Sequence, residues 1–478
     1  MHFKNRHLHP TSKFGIFLVA TLAAGAFAQQ TDWNGKEINV SFRSKNIDGF
    51  TFENAKAVKN VTDFTGSNAT HSPVSFRGAD LREVKFSSSV MNDPDFREAN
   101  LENAILSGAD LRNSNFKGAN LKGANLYRAT LLDSQFPKAN LENARLDAMK
   151  VSDKADFSDA NLKNASFIDV DLTQADFSDA NLTNTNFSRS LMGAANLDDA
   201  IIVKTDFTAC NLINANFSGV ELHDVNFTKA GLSKADFGGA KFINVNLQSA
   251  DLSLTDFNDV DLSKAQLQKA SFAQSNLKNM EFNGQDLSGV VFDKGVVTKS
   301  SFEKAKMNKA SFFDGEASKS VFRNAIMQKA VFDGTYIFKD IFDNADLTKA
   351  NFSNSTISRT SFDLANLTGA NFSGAKLDNI TFRNANMQNI KIDADTKMEN
   401  VDFSGADLSR AHIEKCTAKK VIYDTKTKFP DGFQPREYGF TKLGEKAASV
   451  TVNKAPSSTD QPKKKKRRKK SADEAAGI

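Results

Sequence analysis

The sequence predicts an all-β solenoid, a chain of short strands that turns a corner every five residues. Every fifth residue from Phe157 to Ile392 is large and apolar at 47 of 48 positions, with Ala317 as the exception. Gly, Asn, Asp and Lys recur two positions after the large residue. A small residue stands two positions before it, and the departures from this rule are Met280, Gln285, Asp340, Ile380 and Ile390.

Two inward positions in every five residues do not fit a regular helix or strand. An α-helix repeats about every 3.6 residues and a flat strand about every two. Gly, Asn and Asp tolerate the positive φ that a type II turn requires, so the residues after each large side chain favour a corner there. The core positions and the turn positions therefore predict the same five-residue unit.

Tandem units such as Ala160-Asn161-Leu162-Lys163-Asn164 resemble the pentapeptide-repeat family. The resemblance covers roughly residues 76–423 and implies a right-handed quadrilateral β-helix, with four pentapeptides and hence about 20 residues in each coil. Residues 76–423 then make about 17 coils, and at roughly 4.8 Å per stacked strand the rod is about 80 Å long.

The phenylalanines predict how the core is arranged. From Phe157 to Phe237 they fall ten residues apart except at Leu197, as expected if two opposite walls carry the rings. After Phe242 the set moves by five residues and resumes at Phe282. The wide axis of the core should therefore rotate by one wall near residue 240.

Two places shift the repeat by one residue, between Val151 and Phe157 and between Ile392 and Met398. We interpret these as single-residue bulges or small loops, and not as domain boundaries. A second irregularity lies between residues 280 and 340, where Gly295, Gly315 and Asp340 break the pattern. We expect the rod to bend or loosen there, or to form a recessed site.

The two ends differ from the repeat. Basic residues precede an apolar run over 14–27 that ends on Ala26-Phe27-Ala28, a pattern typical of a secretory signal peptide over residues 1–28. Residues 29–75 are predicted to be an N-terminal cap with irregular first coils, because an open solenoid end exposes strand edges. The β-helix follows over 76–423, a C-terminal cap segment over 424–445, and a disordered polybasic tail over 446–478.

Catalytic and metal chemistry have few candidates in this chain. Cys210 and Cys416 both occupy the small inward position about ten coils apart, so we expect core fillers and no disulfide. The histidines show no spacing typical of metal ligands. We therefore predict no enzyme activity, no catalytic or metal site, and no cofactor.

Charge is the main functional signal. The net charge is +5; without Lys4, Arg6 and Lys13 of the predicted signal it is +2, and without the eight clustered basic residues of the tail it is −6. That cluster predicts an electrostatic contact with a polyanion or, alternatively, a solubilising tail. It consists of Lys463, Lys464, Lys465, Lys466, Arg467, Arg468, Lys469 and Lys470.

Residues 20 apart should stack along one edge of the rod, which yields two further cationic sets. One is the column Lys299, Lys319, Lys339 and Arg359. The other, on the opposite edge, is Lys269, Lys309, Lys329 and Lys349, with Gly289 as a gap. Such columns repel themselves, so either a bound polyanion or neighbouring Asp and Glu should compensate them. An Asp and Asn column from Asp156 to Asp256 is interpreted as hydrogen bonding between coils.

These observations favour an exported, non-enzymatic scaffold that presents a long surface to a protein or to an anionic cell-envelope polymer. The mature chain should be periplasmic, envelope-bound or extracellular, without a transmembrane span, and a homodimer is compatible with the sequence. The alternative, which the resemblance implies, is a DNA mimic that inhibits a nucleic-acid enzyme. A weakly acidic rod and a signal peptide argue against that alternative and against nucleic acid as a partner.

Overall fold

The structure, a computed structural model, describes residues 31–257 and 259–444. The predicted signal peptide and polybasic tail lie outside these ranges. In the described part, the secondary structure is β except for one 3-10 helix, Pro435–Tyr438. The strands are β1 (Glu37–Ile38), β2 (Lys56–Ala57), β3 (Asn68–Ala69), β4 (Val90–Met91), β5 (Thr130–Leu131), β6 (Lys150–Val151), β7 (Ile202–Val203), β8 (Glu221–His223), β9 (Lys241–Ile243), β10 (Asn276–Lys278), β11 (Val296–Thr298), β12 (Glu316–Ser318), β13 (Tyr336–Phe338), β14 (Thr356–Ser358), β15 (Lys376–Thr381), β16 (Lys391–Ile392), β17 (Lys397–Asp402), β18 (His412–Ile413), β19 (Thr417–Lys419), β20 (Val421–Tyr423) and β21 (Phe440–Lys442).

The strands and many single bridges stack in parallel to form coils of 20 residues. Each coil has four walls with one pentapeptide on each. The walls of one coil are joined to the next by the pairs Asn276↔Val296, Glu281↔Ser301, Asp286↔Lys306 and Val291↔Ser311. The predicted quadrilateral β-helix is therefore confirmed.

Most corners are tight turns. The Ala160 N–H donates to the Phe157 carbonyl at 3.1 Å, and Asp159 between them has φ of 56°. Asn, Asp, Lys and Gly occupy most of these positive-φ positions along the rod. The turn chemistry predicted from the repeat is confirmed.

The core is a ladder of large side chains with small residues between them. Phe332 is fully buried and its ring lies 4.8 Å from both Phe312 and Phe352. The predicted rotation of the Phe rows near residue 240 is confirmed. Phe237 stacks on Phe217 at 5.1 Å but meets Phe242 of the next wall edge-on at 5.2 Å.

Both predicted one-residue shifts are confirmed. Bridges 21 residues apart, Gln135↔Asp156 and Lys376↔Lys397, replace the usual spacing of 20. Each extra residue is absorbed locally, and the walls continue in register beyond it.

The first described coils are already stacked on the rod, although their length varies. Asp32 pairs with Thr51, 19 residues away, whereas Thr51 pairs with Ser75, 24 residues away. Trp33 covers the first rings, stacking on Phe52 at 6.4 Å and meeting Phe42 edge-on at 5.7 Å. At the other end Phe429, Phe433, Tyr438 and Phe440 pack together next to Phe403.

The prediction of a bend, loosening or recess between residues 280 and 340 is wrong. Strands β10 to β14 pair there in an unbroken 20-residue register, and the other three walls do the same. The stacking is interrupted earlier, since Asp261 pairs with neither Lys241 nor Glu281. A cleft of about 400 Å³ opens beside this coil, between Asp259-Val260 and residues 278–280.

The interruption coincides with the change of the Phe rows. Phe257 stacks on Phe237 at 6.1 Å, wider than the usual step, and meets Phe272 edge-on at 5.3 Å. Gln285 lies one coil later, at a position where the repeat usually has a small residue. Its Nε2–H donates to the Leu262 carbonyl at 2.8 Å. The long polar side chain thus reaches a carbonyl on the pentapeptide whose strand pairing is interrupted.

Candidate anion-binding face

One wall of the rod forms a continuous strand surface, and we call it the strand wall. Its inward residues in β10 to β14 are Leu277, Val297, Ala317, Ile337 and Ile357. These are mostly β-branched or small, because the Phe rows have moved to the two adjoining walls. Side chains before and after each inward residue point outward, as the alternation of a strand requires.

The cation column, Lys299, Lys319, Lys339 and Arg359, follows the strands at one corner of the strand wall. All four residues adopt positive φ, between 52° and 60°. The corner is open, because the N–H that closes a tight turn elsewhere donates here to a side chain of the next coil. Such bonds run from Met280 N–H to Ser300 Oγ at 3.1 Å, from Ser300 N–H to Ser320 Oγ at 3.2 Å, and from Ser320 N–H to Asp340 Oδ1 at 2.6 Å.

Asp340 belongs to this ladder and is not a counter-charge for the column. The side chain is 1% exposed, and its Oδ2 has no hydrogen-bond partner. Burial raises the pKa of Asp340 well above its usual range, the hydrogen bond from Ser320 opposes this, and the nearby Glu316 adds to it. The carboxyl is therefore biased toward its neutral form, which cannot balance the lysines outside it.

The cation column has no carboxylate partner at contact distance. Its four side chains are exposed, and none of them lies within 4.0 Å of a carboxylate oxygen. Within the described ranges the ion pairs fall at residues 48–241 and 383–428, on either side of this stretch. The expectation that adjacent Asp and Glu compensate the column is therefore wrong at contact distance.

Two aromatic side chains lie beside the column. Tyr336 and Phe338 project outward from β13 with ring centroids 6.2 Å apart, and Tyr336 is 42% exposed. Lys339 Nζ lies 5.1 Å from the Phe338 ring centroid and Arg359 Cζ lies 5.8 Å from it. Sequence reasoning missed this pair, although two aromatic residues at the outward positions of one pentapeptide are a readable signal.

The other predicted cations lie elsewhere. Lys309, Lys329 and Lys349 are exposed at a corner of tight turns, separated from the cation column by two walls. The structure does not bring the two columns together. Lys463 to Lys470 of the tail lie outside the described residues.

The remaining polar features have structural explanations. Asn196 Nδ2 donates to Asp176 Oδ1 at 3.2 Å and Asn216 Nδ2 to Asn196 Oδ1 at 3.0 Å, so the predicted bonding between coils is confirmed over Asp176, Asn196 and Asn216. Cys210 is buried and reduced, and burial raises its pKa, whereas Cys416 is half-buried. In the described ranges, no cluster of three potential metal ligands occurs.

Comparison with known proteins identifies the repeat. The family model for pentapeptide repeats matches eight copies, over residues 95–131, 114–148, 155–193, 190–228, 221–259, 265–303 and 365–389. A comparison with curated proteins found no match. Among the residues that the structure describes, none forms a helix long and apolar enough to span a bilayer.

The solved structures with similarity to the chain include pentapeptide-repeat proteins. QnrB1, a plasmid-mediated fluoroquinolone resistance protein, is 16% identical over 45% of this chain and 91% of its own, with a TM-score of 0.23. HetL from Nostoc, involved in heterocyst differentiation regulation, is 21% identical over 52% of this chain and 88% of its own, with a TM-score of 0.15. At these values the similarity says nothing about partners. The chain belongs to the pentapeptide-repeat family.

Proposed function

We propose that this chain is an exported, non-enzymatic scaffold that binds a linear anionic polysaccharide of the cell envelope along the strand wall. The observation that carries the proposal is the cation column, four exposed cations on successive coils without an ion pair. Neighbouring cations one coil apart repel by up to about 1 kcal/mol in water. A bound polyanion removes that repulsion along the whole column.

The geometry favours an extended polymer aligned with the rod. Ring centroids in the adjoining Phe row are 4.7 to 4.8 Å apart, so the column offers one cation per step of about that length. Tyr336 and Phe338 add flat apolar surface of the kind that packs against sugar rings. Ser358 lies next to Phe338 on the same outward row, is half-buried and can bond a sugar hydroxyl. The Ser318 hydroxyl on the other side is buried and donates to Glu316 Oε1 at 3.0 Å.

Two sequence features support the remaining parts of the proposal. The signal-peptide pattern over 1–28 supports export, which would place the rod among envelope polymers. The eight basic residues from Lys463 to Lys470 would add sequence-independent attraction for the same polymer. Binding by these groups should weaken as salt rises, because exposed charges are screened.

Fluorescently labelled polygalacturonate tests the proposal, titrated with nanomolar protein truncated after Thr459 so that the tail does not contribute. The variant Lys339→Glu/Arg359→Glu should bind about 30-fold more weakly or worse, since each cation near an anionic surface contributes about 1 kcal/mol. Glutamate is tolerated at this positive φ, because Glu83 and Glu98 adopt φ of 60° and 59° at corners elsewhere in the rod.

The matched control is Lys309→Glu/Lys329→Glu, which makes the same charge change at the other corner. It should retain most of the affinity. Equal losses in both variants would show a general field effect and overturn the assignment to the strand wall. Stronger binding of a single-stranded DNA oligomer than of polygalacturonate would overturn the choice of polysaccharide.

A second candidate function has one observation in its favour. The strand wall between Asp156 and Asp259 is acidic, as a DNA mimic would require, although the column that follows it is cationic. Inhibition of DNA supercoiling by a purified topoisomerase, lost on replacing Asp179 and Asp199 with Asn, would support this alternative. Unchanged supercoiling at micromolar protein would reject it.

A further inference from the structure

The strand wall extends well before β10, and its two halves carry opposite charge. Bridges link Asp156↔Asp176, Asn196↔Asn216 and Asp256↔Asn276 along this wall, and the Phe237–Phe257 ring contact joins the two segments. We call residues 156–259 of the wall its acidic half and residues 276–378 its basic half.

Lys154 and Lys234 stand at the corner before the inward residues of the acidic half, but no Lys or Arg stands beside those residues or at the corner after them. Those positions, over the six coils from Phe157 to Phe257, hold Asp, Asn, Ser and Gly apart from the undescribed position 258. Asp159 forms an ion pair with Lys138 at 3.9 Å, and Asp176 accepts hydrogen bonds within the wall. The outward acids are Asp156, Asp159, Asp176, Asp179, Asp198, Asp199, Asp236, Asp256 and Asp259.

The basic half repeats this layout with the opposite sign. Its cations are the cation column together with Lys278 and Lys376, and its acids are Glu316 and Asp378. The acidic row and the cation column occupy the same corner, because Asp179 and Asp199 stand two residues after the inward Phe177 and Leu197, as Lys339 and Arg359 do after Ile337 and Ile357.

We propose that a second copy of the chain packs antiparallel on the strand wall, so that the acidic half of each copy covers the basic half of the other. The two-fold axis lies in the interface, parallel to the strands, between the coils of Phe257 and Leu277. It opposes the coil of Leu197 with that of Ile337, and the coil of Phe177 with that of Ile357. Lys339 then faces Asp199 of the second copy.

The same register brings like charges together at one place, where Lys234 faces Lys294 at the other corner of the wall. Arg359 faces Asp179 of the second copy. Glu316, an acid within the basic half, faces Asn216 on the one acidic-half coil that lacks outward acids. Lys299 and Lys319 face Gly239 and Gly219, where the missing side chains leave room for long cations. A parallel arrangement would instead oppose acid with acid and cation with cation, so charge selects the antiparallel one.

The interface is modest in size. About 12 coils at roughly 4.8 Å each make it roughly 58 Å long, and a width of roughly 10 Å yields about 600 Å² per copy. Stable interfaces usually bury about 800 Å² per partner. We therefore infer a micromolar, salt-sensitive dimer whose specificity comes from charge pattern.

Sedimentation equilibrium without any polymer tests this inference on chains truncated after Thr459. The wild type should dimerise at low salt and dissociate by about 0.5 M salt. Lys339→Glu/Arg359→Glu places acids opposite Asp199 and Asp179 of the second copy, and Asp179→Lys/Asp199→Lys places cations opposite its Arg359 and Lys339. Each variant alone should be monomeric, because these facing side chains then carry like charges. An equimolar mixture should restore a dimer, because the facing side chains of the two different variants carry opposite charges. Lysine fits the exchanged positions, as Lys229 and Lys234 occupy such corners at φ of 60° and 59°.

The mixture makes misfolding an insufficient explanation, because two unfolded variants would not restore association. A wild type that stays monomeric at about 0.1 mM in low salt would overturn the inference, as would a mixture that stays monomeric. Dimerisation that Lys309→Glu/Lys329→Glu weakens equally would place the interface on another wall. Because no polymer is present, failure here leaves the proposed polysaccharide binding unaffected.

Discussion

Phe332 is the most informative single position for the core, because it stacks in the middle of a six-ring row. Its ring is fully buried and lies 4.8 Å from Phe312 at 8° and 4.8 Å from Phe352 at 2°, and it meets Phe342 edge-on at 5.7 Å. Replacing it removes three ring contacts at once. The row contains no polar group that could accommodate a charge.

The cost can be worked out from these contacts. Truncating a buried phenylalanine to alanine costs about 3–5 kcal/mol. Aromatic pairs contribute about 0.5–1.5 kcal/mol each beyond burial, which places Phe332→Ala at the upper end of that range. Phe332→Leu keeps most of the buried apolar volume but loses the three aromatic pairs, so it should cost at least about 1.5 kcal/mol and less than alanine. Phe332→Asp should cost more than alanine, since it buries an unpaired carboxylate.

Urea unfolding followed by far-UV circular dichroism measures these differences. A solenoid is stabilised by contacts between neighbouring coils. Lys309 is exposed at a corner, so Lys309→Ala should change the free energy of unfolding little and serves as the surface control. A loss below about 1 kcal/mol for Phe332→Ala, or unchanged thermal stability of Phe332→Asp, would refute the ring-stack account of the core.

Three further outcomes follow from particular contacts. Gly315→Ala should destabilise by about 1–3 kcal/mol in urea unfolding, because its Cβ would meet the Gly295 carbonyl oxygen at 3.0 Å, whereas Gly284→Asn, with open space, should be neutral. Asp340→Ser should stabilise the rod at neutral pH, and the gain should vanish below about pH 4. Because burial raises the pKa of Asp340, the wild type loses stability as pH rises above the pKa that this carboxyl has in the unfolded chain. Burial raises the pKa of Asp407, but hydrogen bonds from Ser409 and Gln388 lower it to about 2. The contribution of Asp407 to the free energy of unfolding should therefore be lost as pH falls from about 4 to 2. Asp407→Asn should flatten the stability-versus-pH curve in that range. A stabilisation by Asp340→Ser that shrinks as pH rises would contradict the first assignment, and an Asp407→Asn curve as steep as that of the wild type below about pH 4 would contradict the second.

The repeat predicts the fold well because each five-residue unit contains its own core and corner. The rotation of the Phe rows was predictable because Phe237 and Phe242 stand five residues apart, whereas ring rows on one wall require spacings of 20. The one-residue shift before Phe157 was predictable for the same reason.

The irregular part of the rod was predicted at the wrong place, because departures from the sequence repeat and interruptions of the strand pairing have different causes. Ser300 and Asp340 depart from the usual alanine, yet they satisfy N–H groups at an open corner. Gly295 and Gly315 admit carbonyl oxygens that a Cβ would approach to 3.0 Å. By contrast, Leu262 fits the five-residue pattern, although the strand pairing of its pentapeptide is interrupted. That interruption coincides with the Phe rows moving to other walls, which the pattern of any single pentapeptide does not reveal.

The site was only partly predictable. The spacing of 20 identified the cation column, but contact distances were needed to show that no carboxylate pairs with Lys319. Tyr336 and Phe338 lie in the outward positions on either side of Ile337, and the prediction missed them because it followed only the residues at the five-residue core spacing. The opposite charge of the two halves of one wall became visible only once bridges joined Asp256 to Asn276.

The proposed function requires the rod to lie outside the cytoplasm, and cell fractionation combined with determination of the mature N-terminus tests this most directly. We predict recovery with the periplasm, envelope or medium, and a mature chain that begins at Gln29. Recovery from the cytoplasm with residues 1–28 retained would contradict the proposal and favour the DNA-mimic alternative.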